Sequence, residues 1–349
     1  MPDAIDCDVH IAVPGMAALL PYLDPAWRDL IITRGIDGLE LASYPPRAPM
    51  TRRADWKPGQ ETTPLGELQD VVLGRLGARM AILNCLHGAQ ALHSEDLAAA
   101  LCSAVNKWIA AEWLDRDPRL RASIVVPLQN PNYAVAEIER WADDPRFVQI
   151  LVLSMGEMLM GRRYYWPVYQ AATRYKLPIG IHAGSAYRHA PTSGGWPTHI
   201  TQDSVNGTAA FEGQLLSLMA EGVFLEYPDL RVVLMESGIT WLPPFIWRAI
   251  KSWRALRTEA PWMRRSPGEF VREHVRMTLQ PFDAPGAAEV ERIVEQIGSE
   301  DILLYSSDYP HWHFDGDAVI PAGLSPETIR RMCLDNPLAT YPRMKELVQ

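Results

Sequence analysis

Short apolar runs without polar alternation recur along this chain, and several of them stop on an acid or a histidine. They are Ala4 to His10, Arg79 to Leu86, Arg121 to Pro127, Phe147 to Ser154, Leu177 to Gly184, Arg231 to Gly238, a weaker run from His274 to Leu279, and Ile302 to Ser307. A run of this kind fits a strand covered on both faces, as in a parallel sheet. Helical stretches separate them: Met16 to Ile32, Leu65 to Gly77, Glu95 to Leu114, Val135 to Ala142, Val168 to Tyr175 and Phe211 to Val223. Two stretches lack periodicity, about 34 to 63 (rich in Pro and Arg) and about 185 to 208 (rich in Gly, Ser, Thr and Pro), and they predict long loop insertions near strand ends.

Eight such strands alternating with helices predict an α/β fold, a (β/α)8 TIM barrel with long insertions after strands 1 and 5. A doubly wound open sheet is the rival. It would want a Gly-rich phosphate loop after the first strand, and the segment from Asp8 to Pro14 has none. No internal repeat or low-complexity tract interrupts the pattern. One domain over residues 1–349 is expected, with a C-terminal helical tail from about Pro326.

The formal net charge of −9 argues against nucleic acid or an anionic membrane surface as partner. No apolar run approaches about 18 residues, and the first residues lack a basic region followed by an apolar one, so a cytoplasmic protein with a small-molecule substrate is expected. An oligomer of identical chains is expected, or one with a paralogue. The four cysteines, widely spaced in apolar surroundings, read as reduced core thiols, although Cys7 neighbours Asp8 and could face the same cleft.

In parallel α/β folds, chemistry collects at the carboxyl ends of the strands. The first strand ends in Asp8-x-His10, the fifth in His182, the sixth in Glu236 and the eighth in Asp308, which Tyr309-Pro310-His311 follows. Residues two apart on a strand share a side, so Asp8 and His10 can both face the barrel mouth. Each residue alone has an ordinary reading as a paired core acid, a hydrogen-bonded histidine or a turn cap. Together they would cost several kcal/mol per unpaired buried ion, and a bound cation removes that cost. A divalent metal held by Asp8, His10, His182, Glu236 and Asp308 is therefore expected.

Asp8-x-His10, Ile181-His182-Ala183-Gly184, Glu236-Ser-Gly-x-x-Trp-Leu-Pro243 and Ser307-Asp308-Tyr-Pro-His311-Trp312 resemble, in order along nearly the whole chain, the amidohydrolase-related (amidohydrolase 2) family. That family contains aminocarboxymuconate-semialdehyde and resorcylate-type decarboxylases. The resemblance implies a metal-dependent (β/α)8 enzyme in which His10, His182 and Asp308 hold a divalent ion. The family usually opens with His-x-His and has histidine at the end of strand six; Asp8 and Glu236 replace these neutral ligands with anionic ones.

Three carboxylates exceed the charge of one dication, which leaves capacity for two ions and moves the preference from zinc toward manganese or iron. His311 could complete a second metal position, and His313 reads as a solvent-facing or supporting group. Asp308 and His311 are the candidate catalytic residues. Arg188 or His189 could clamp a substrate carboxylate. Trp241, Trp312 and residues 44–46 could wall an aromatic pocket, His87 and His93 flank the end of strand two, where Asn84-Cys85-Leu86-His87 could reach the cleft, and Trp108, Trp113 and Trp141 read as helix faces packed on the barrel. Two reaction classes stay open: hydrolysis or non-oxidative decarboxylation with Asp308 as base or proton carrier, and, by likeness to a carboxylate-rich branch of the family, oxygen-dependent oxidation at a dinuclear iron or manganese site. A degenerate paralogue with a structural metal is a third, non-enzymatic reading, against which the full set of acids and imidazoles argues.

Overall fold

A computed structural model describes residues 3–39, 64–184, 189–311 and 319–347. Eight strands form one sheet in sequence order: β1 (Ala4–His10), β2 (Ala78–Asn84), β3 (Leu120–Val125), β4 (Phe147–Leu153), β5 (Ile179–His182), β6 (Val232–Met235), β7 (Val275–Thr278) and β8 (Leu303–Leu304). Each pairs in parallel with the next. The ring closes between the last strand and the first: Cys7 N donates to Tyr305 O at 2.9 Å, Asp308 N to Asp8 O at 3.1 Å and His10 N to Tyr309 O at 2.6 Å. This is the expected (β/α)8 barrel.

The strands are buried along nearly their whole length, which explains their unbroken apolar character. Gly180 shows how tightly the interior fills. A Cβ there would fall 2.5 Å from the Gln149 side chain and 2.8 Å from Met235 Cε, so only glycine lets Gln149 cross the barrel.

The helices differ from expectation in instructive places. The stretch Met16 to Ile32 is a 3-10 turn over Met16–Tyr22 followed by a helix over Pro25–Arg34, because Pro21 and Pro25 break the ladder. The second insertion is not all loop: Ile200–Ala220 is one helix that takes in residues 200–208. The first insertion falls mostly on residues 40–63, outside the described residues. Helices Leu242–Leu256, Pro267–His274 and Ala287–Ile297, which the sequence patterning did not single out, fill the connections from β6 to β8. A helix spans Pro326–Arg330. Among the described residues no helix is long and apolar enough to cross a membrane.

Candidate metal centre

β1 uses three steps, Asp6 to Val9, where β2 uses two, Ala81 to Leu83, so a bulge lies between Asp6 and Val9. Bulges re-aim side chains next to functional sites. Here it falls at Asp8, so simple alternation is not what orients that carboxylate. Asp8 is fully buried. Its Oδ1 accepts from Asn84 Nδ2 at 2.8 Å, at the end of β2, while Oδ2 has no hydrogen-bond partner among the described residues.

Around Asp8 the expected residues converge. His10 Nε2 lies 3.3 Å from Asp8 Oδ1 and 3.1 Å from Asp308 Oδ1. His182 Nε2 lies 3.3 Å from Glu236 Oε2, 3.3 Å from His10 Nε2 and 3.8 Å from Asp8 Oδ2. His311 Nδ1 contacts Asp308 Oδ1 at 2.9 Å and stands 3.9 Å from Glu236 Oε2, and its ring stacks on His10 with centroids 4.1 Å apart. Two sets of potential ligand atoms result, Asp8 with His10 and His182, and His10 with Glu236, Asp308 and His311. They share His10.

These residues fit a cation on two independent grounds. His182 Nδ1 sits 2.8 Å from the carbonyl of Ala183, an acceptor only, so that nitrogen carries a proton, and in the neutral ring Nε2 is left with the lone pair. A lone pair aimed at carboxylate oxygens 3.3 and 3.8 Å away is repulsive unless a positive charge lies among them. The spacings agree as well: metal–ligand bonds of roughly 2.1 Å place neighbouring ligand atoms roughly 3.0 to 3.5 Å apart.

Backbone strain marks the same place. Glu236 and Asp308 both have positive φ, 55° each, although neither is glycine. Left-handed backbone at a residue with a side chain clusters at functional sites. The bend after β6 is held by Thr278 Oγ1, which accepts from Glu236 N at 3.1 Å, and by Asp283, which accepts from Ile239 N and Thr240 N at 3.2 Å.

Burial pushes the Asp8 carboxyl upward against the pull of His10 and His182. Burial pushes Asp308 upward too, yet the charge of His311 and hydrogen bonds from His10 and His311 hold it well below the usual carboxylate range. His311 is the counterpart: burial disfavours its charge, but Asp308, Glu236 and Asp8 raise it to about 9. Asp6, which sequence reasoning passed over, is raised to about 7 by burial, with Ser307 N donating to its Oδ1 at 3.0 Å.

The remaining candidates are placed differently. Arg188, Trp312, His313 and residues 44–46 lie outside the described residues. His189 lines a cavity of about 150 Å³ with Gln90, Gln129, Met155 and Tyr164, and is not in the cluster of converging ligand atoms. His87 Nδ1 accepts from Ala89 N at 3.2 Å, which caps a short turn, and His93 is exposed. Trp241 donates to the Ser237 and Gly238 carbonyls at 3.0 and 3.1 Å, bracing the bend after β6. Cys7 is fully buried, with its thiol 3.6 Å from Ile5 O. Of the segment Asn84-Cys85-Leu86-His87, it is the Asn84 amide that meets the cluster, through Asp8.

Comparison with known proteins agrees with this geometry. The pattern described as amidohydrolase matches residues 5–343. The chain belongs to the amidohydrolase family. This amidohydrolase is 26% identical over 240 residues to a gamma-resorcylate decarboxylase of Rhodococcus jostii (strain RHA1), covering 63% of this chain and 69% of the relative. An amidohydrolase from Mycobacterium avium subsp. paratuberculosis K-10 superposes with a TM-score of 0.73 at 20% identity, over 97% of this chain and 99% of that one. A dihydroxybenzoic acid decarboxylase from Polaromonas sp. JS666, with bound manganese and the inhibitor 2-nitroresorcinol, superposes with a TM-score of 0.66 at 18% identity, over 98% and 97% of the two chains. The barrel, the family and a metal-dependent enzyme of the hydrolase and lyase kind, all expected from the sequence, are borne out.

Proposed function

We propose that this amidohydrolase is a metal-dependent, non-oxidative decarboxylase of a small hydroxylated aromatic carboxylate. The observation that carries the metal is the convergence of Asp8, His10, His182, Glu236 and Asp308, with a buried Asp8 Oδ2 left without a hydrogen bond among the described residues. The choice of decarboxylation over hydrolysis rests on the likeness to gamma-resorcylate decarboxylase, and the oxygen-rich donor set favours manganese.

Asp8, His10, His182, Glu236 and Asp308 would hold the ion. When bound, it supplies a Lewis acid that anchors anionic substrate oxygens and draws electron density from them. The protein's own part is proton management. Loss of carbon dioxide replaces a ring C–C bond by a C–H bond, so one proton must reach the ring carbon as the carboxylate leaves. Asp308 and His311, joined at 2.9 Å, form the pair that can hold that proton and deliver it. Small-molecule binding is thereby assigned to the barrel mouth. We assign the active form to an assembly of identical chains, for which exposed Trp247, Leu256 and Trp262 offer apolar surface.

Manganese-loaded protein incubated with 2,6-dihydroxybenzoate under nitrogen tests the proposal. Stoichiometric resorcinol and carbon dioxide are expected without oxygen. Turnover that requires oxygen, or no decarboxylation across a panel of hydroxybenzoates, would overturn it.

A further inference from the structure

A continuous chain of buried hydrogen bonds runs through the barrel interior and ends on the metal-site carboxylate. Tyr341 OH donates to Gln149 Oε1 at 3.2 Å, Gln149 Nε2 to Ser123 Oγ at 2.9 Å, Ser123 Oγ to Asn84 Oδ1 at 2.6 Å, and Asn84 Nδ2 to Asp8 Oδ1 at 2.8 Å. Asn84, Ser123 and Gln149 sit on β2, β3 and β4, and all five side chains are buried. The chain therefore climbs from the third residue of β4, near the floor of the barrel, to the mouth.

Its direction is uniform. Tyr341 ends the chain as a donor, and each amide or hydroxyl after it accepts from one side and donates to the next. Asp8 only accepts when ionised. Turning either amide over would set two donors or two acceptors against each other, so the members fix one another's orientation. Aligned donors polarise one another and strengthen the last bond, the one that Asp8 receives. That bond occupies Oδ1 and leaves Oδ2 turned toward His182 Nε2.

The far end is anchored by the C-terminal tail. The Arg343 guanidinium donates to the carbonyls of Ala142, Asp144, Phe147 and Tyr175 at 2.7 to 3.2 Å, tying the tail to the start of β4. Tyr341, two residues earlier, is completely buried by this docking.

We propose that Asn84, Ser123, Gln149 and Tyr341 are positioning residues that pre-set Asp8 for the cation, and that the docked tail thereby tunes metal affinity from the opposite end of the barrel. The proposal rests on the metal reading of the centre. Hydrogen-bonded partners of metal ligands commonly influence affinity 10- to 100-fold. The effect here decays along the chain with distance from Asp8.

Manganese titration of the metal-free protein, read as a dissociation constant and without any assay of turnover, tests it. Wild type must bind first; failure to bind would sink the metal reading and not the chain. Given binding, Asn84→Ala is expected to weaken affinity by about 10- to 100-fold. Ser123→Ala and Tyr341→Phe should weaken it by successively smaller factors, with Ser123→Thr restoring it. Tyr341→Phe is close in shape and keeps the tail docked through Arg343, so it remains decisive if Asn84→Ala does not fold. In an Asn84→Ala background Tyr341→Phe should have no further effect on affinity, because the link to Asp8 is already cut. Unchanged affinity in Ser123→Ala and Tyr341→Phe, with only thermal stability lowered, would reduce the chain to core packing and overturn the proposal.

Discussion

Glu236 and Asp308, on loops that leave β6 and β8, share one backbone conformation: each has φ of 55°. For a residue with a side chain this region costs about 1 kcal/mol or more, and both residues are acids that approach the His311 imidazole, Glu236 at 3.9 Å and Asp308 at 2.9 Å. The centre is thus assembled against local preference, and a glycine should relieve part of the strain. Glu236→Gly is expected to raise the stability of the metal-free protein by about 1 kcal/mol while lowering its manganese affinity. Chemical denaturation beside metal titration checks both. A variant that loses stability without metal would show that the Glu236 side chain, and not its conformation, dominates.

The charge count admits two ions, but the geometry argues for one. Both potential ligand sets draw on His10, and its contacts to Asp8, His182 and Asp308 all run through Nε2. One imidazole nitrogen has one lone pair and cannot serve two ions at once. Chelator treatment followed by manganese should return close to one ion per chain. At free metal a hundredfold above the dissociation constant, stability should rise by about 2.7 kcal/mol. Elemental analysis near two ions per chain would contradict the shared-ligand argument.

Much of the candidate centre was legible in the sequence because each proposed ligand interrupts a run that is otherwise apolar, at a position where a parallel strand must end. Asp8, His10, His182, Glu236 and Asp308 all announce themselves in this way. Ser123 and Gln149 do not. A neutral amide or hydroxyl within a strand reads equally well as a solvent-facing residue, and only closure of the ring shows that Ser123 and Gln149 point at each other. The bulge at Asp8 was hidden for a related reason, since register depends on the partner strand and not on the run itself. Residues 200–208 read as loop because their Gly, Ser and Thr are poor helix formers; mostly exposed, they extend a helix that is anchored by buried Phe211, Leu215 and Leu218 and started by Gln202 Oε1, which accepts from His199 N at 3.1 Å.

His87 gives the fold a pH dependence separate from the metal centre. Its Nδ1 must stay unprotonated to accept from Ala89 N, and burial lowers its pKa to about 4, against about 6.5 in an unfolded chain. Between those values the unfolded chain binds more protons than the folded one. Stability should therefore be full above about pH 6.5 and fall as pH drops toward 4, by about 1 to 2 kcal/mol for this partly exposed ring. His87→Asn keeps an acceptor and removes the titration, so its stability should vary less across that window. Urea unfolding at several pH values measures the slope, and an unchanged slope would move its origin to another group.

His311 separates holding the metal from moving the proton. It stands beside Asp308 at 2.9 Å, yet it also belongs to one of the two ligand sets. If the ion is held by Asp8, His10, His182, Glu236 and Asp308, removing His311 leaves those donors in place and takes away only the imidazole that carries the proton beside an ionised Asp308. His311→Ala should then retain metal close to the wild-type content while kcat for decarboxylation falls by about 10²- to 10⁴-fold, the usual range for a lost acid–base group. Asp308→Ala should lose metal and activity together. The KM for a hydroxybenzoate should change little in His311→Ala, because the lost interaction serves the proton-transfer step and not substrate binding. Metal content that falls in parallel with kcat in His311→Ala would instead make His311 a ligand and assign the ion to the set of His10, Glu236, Asp308 and His311.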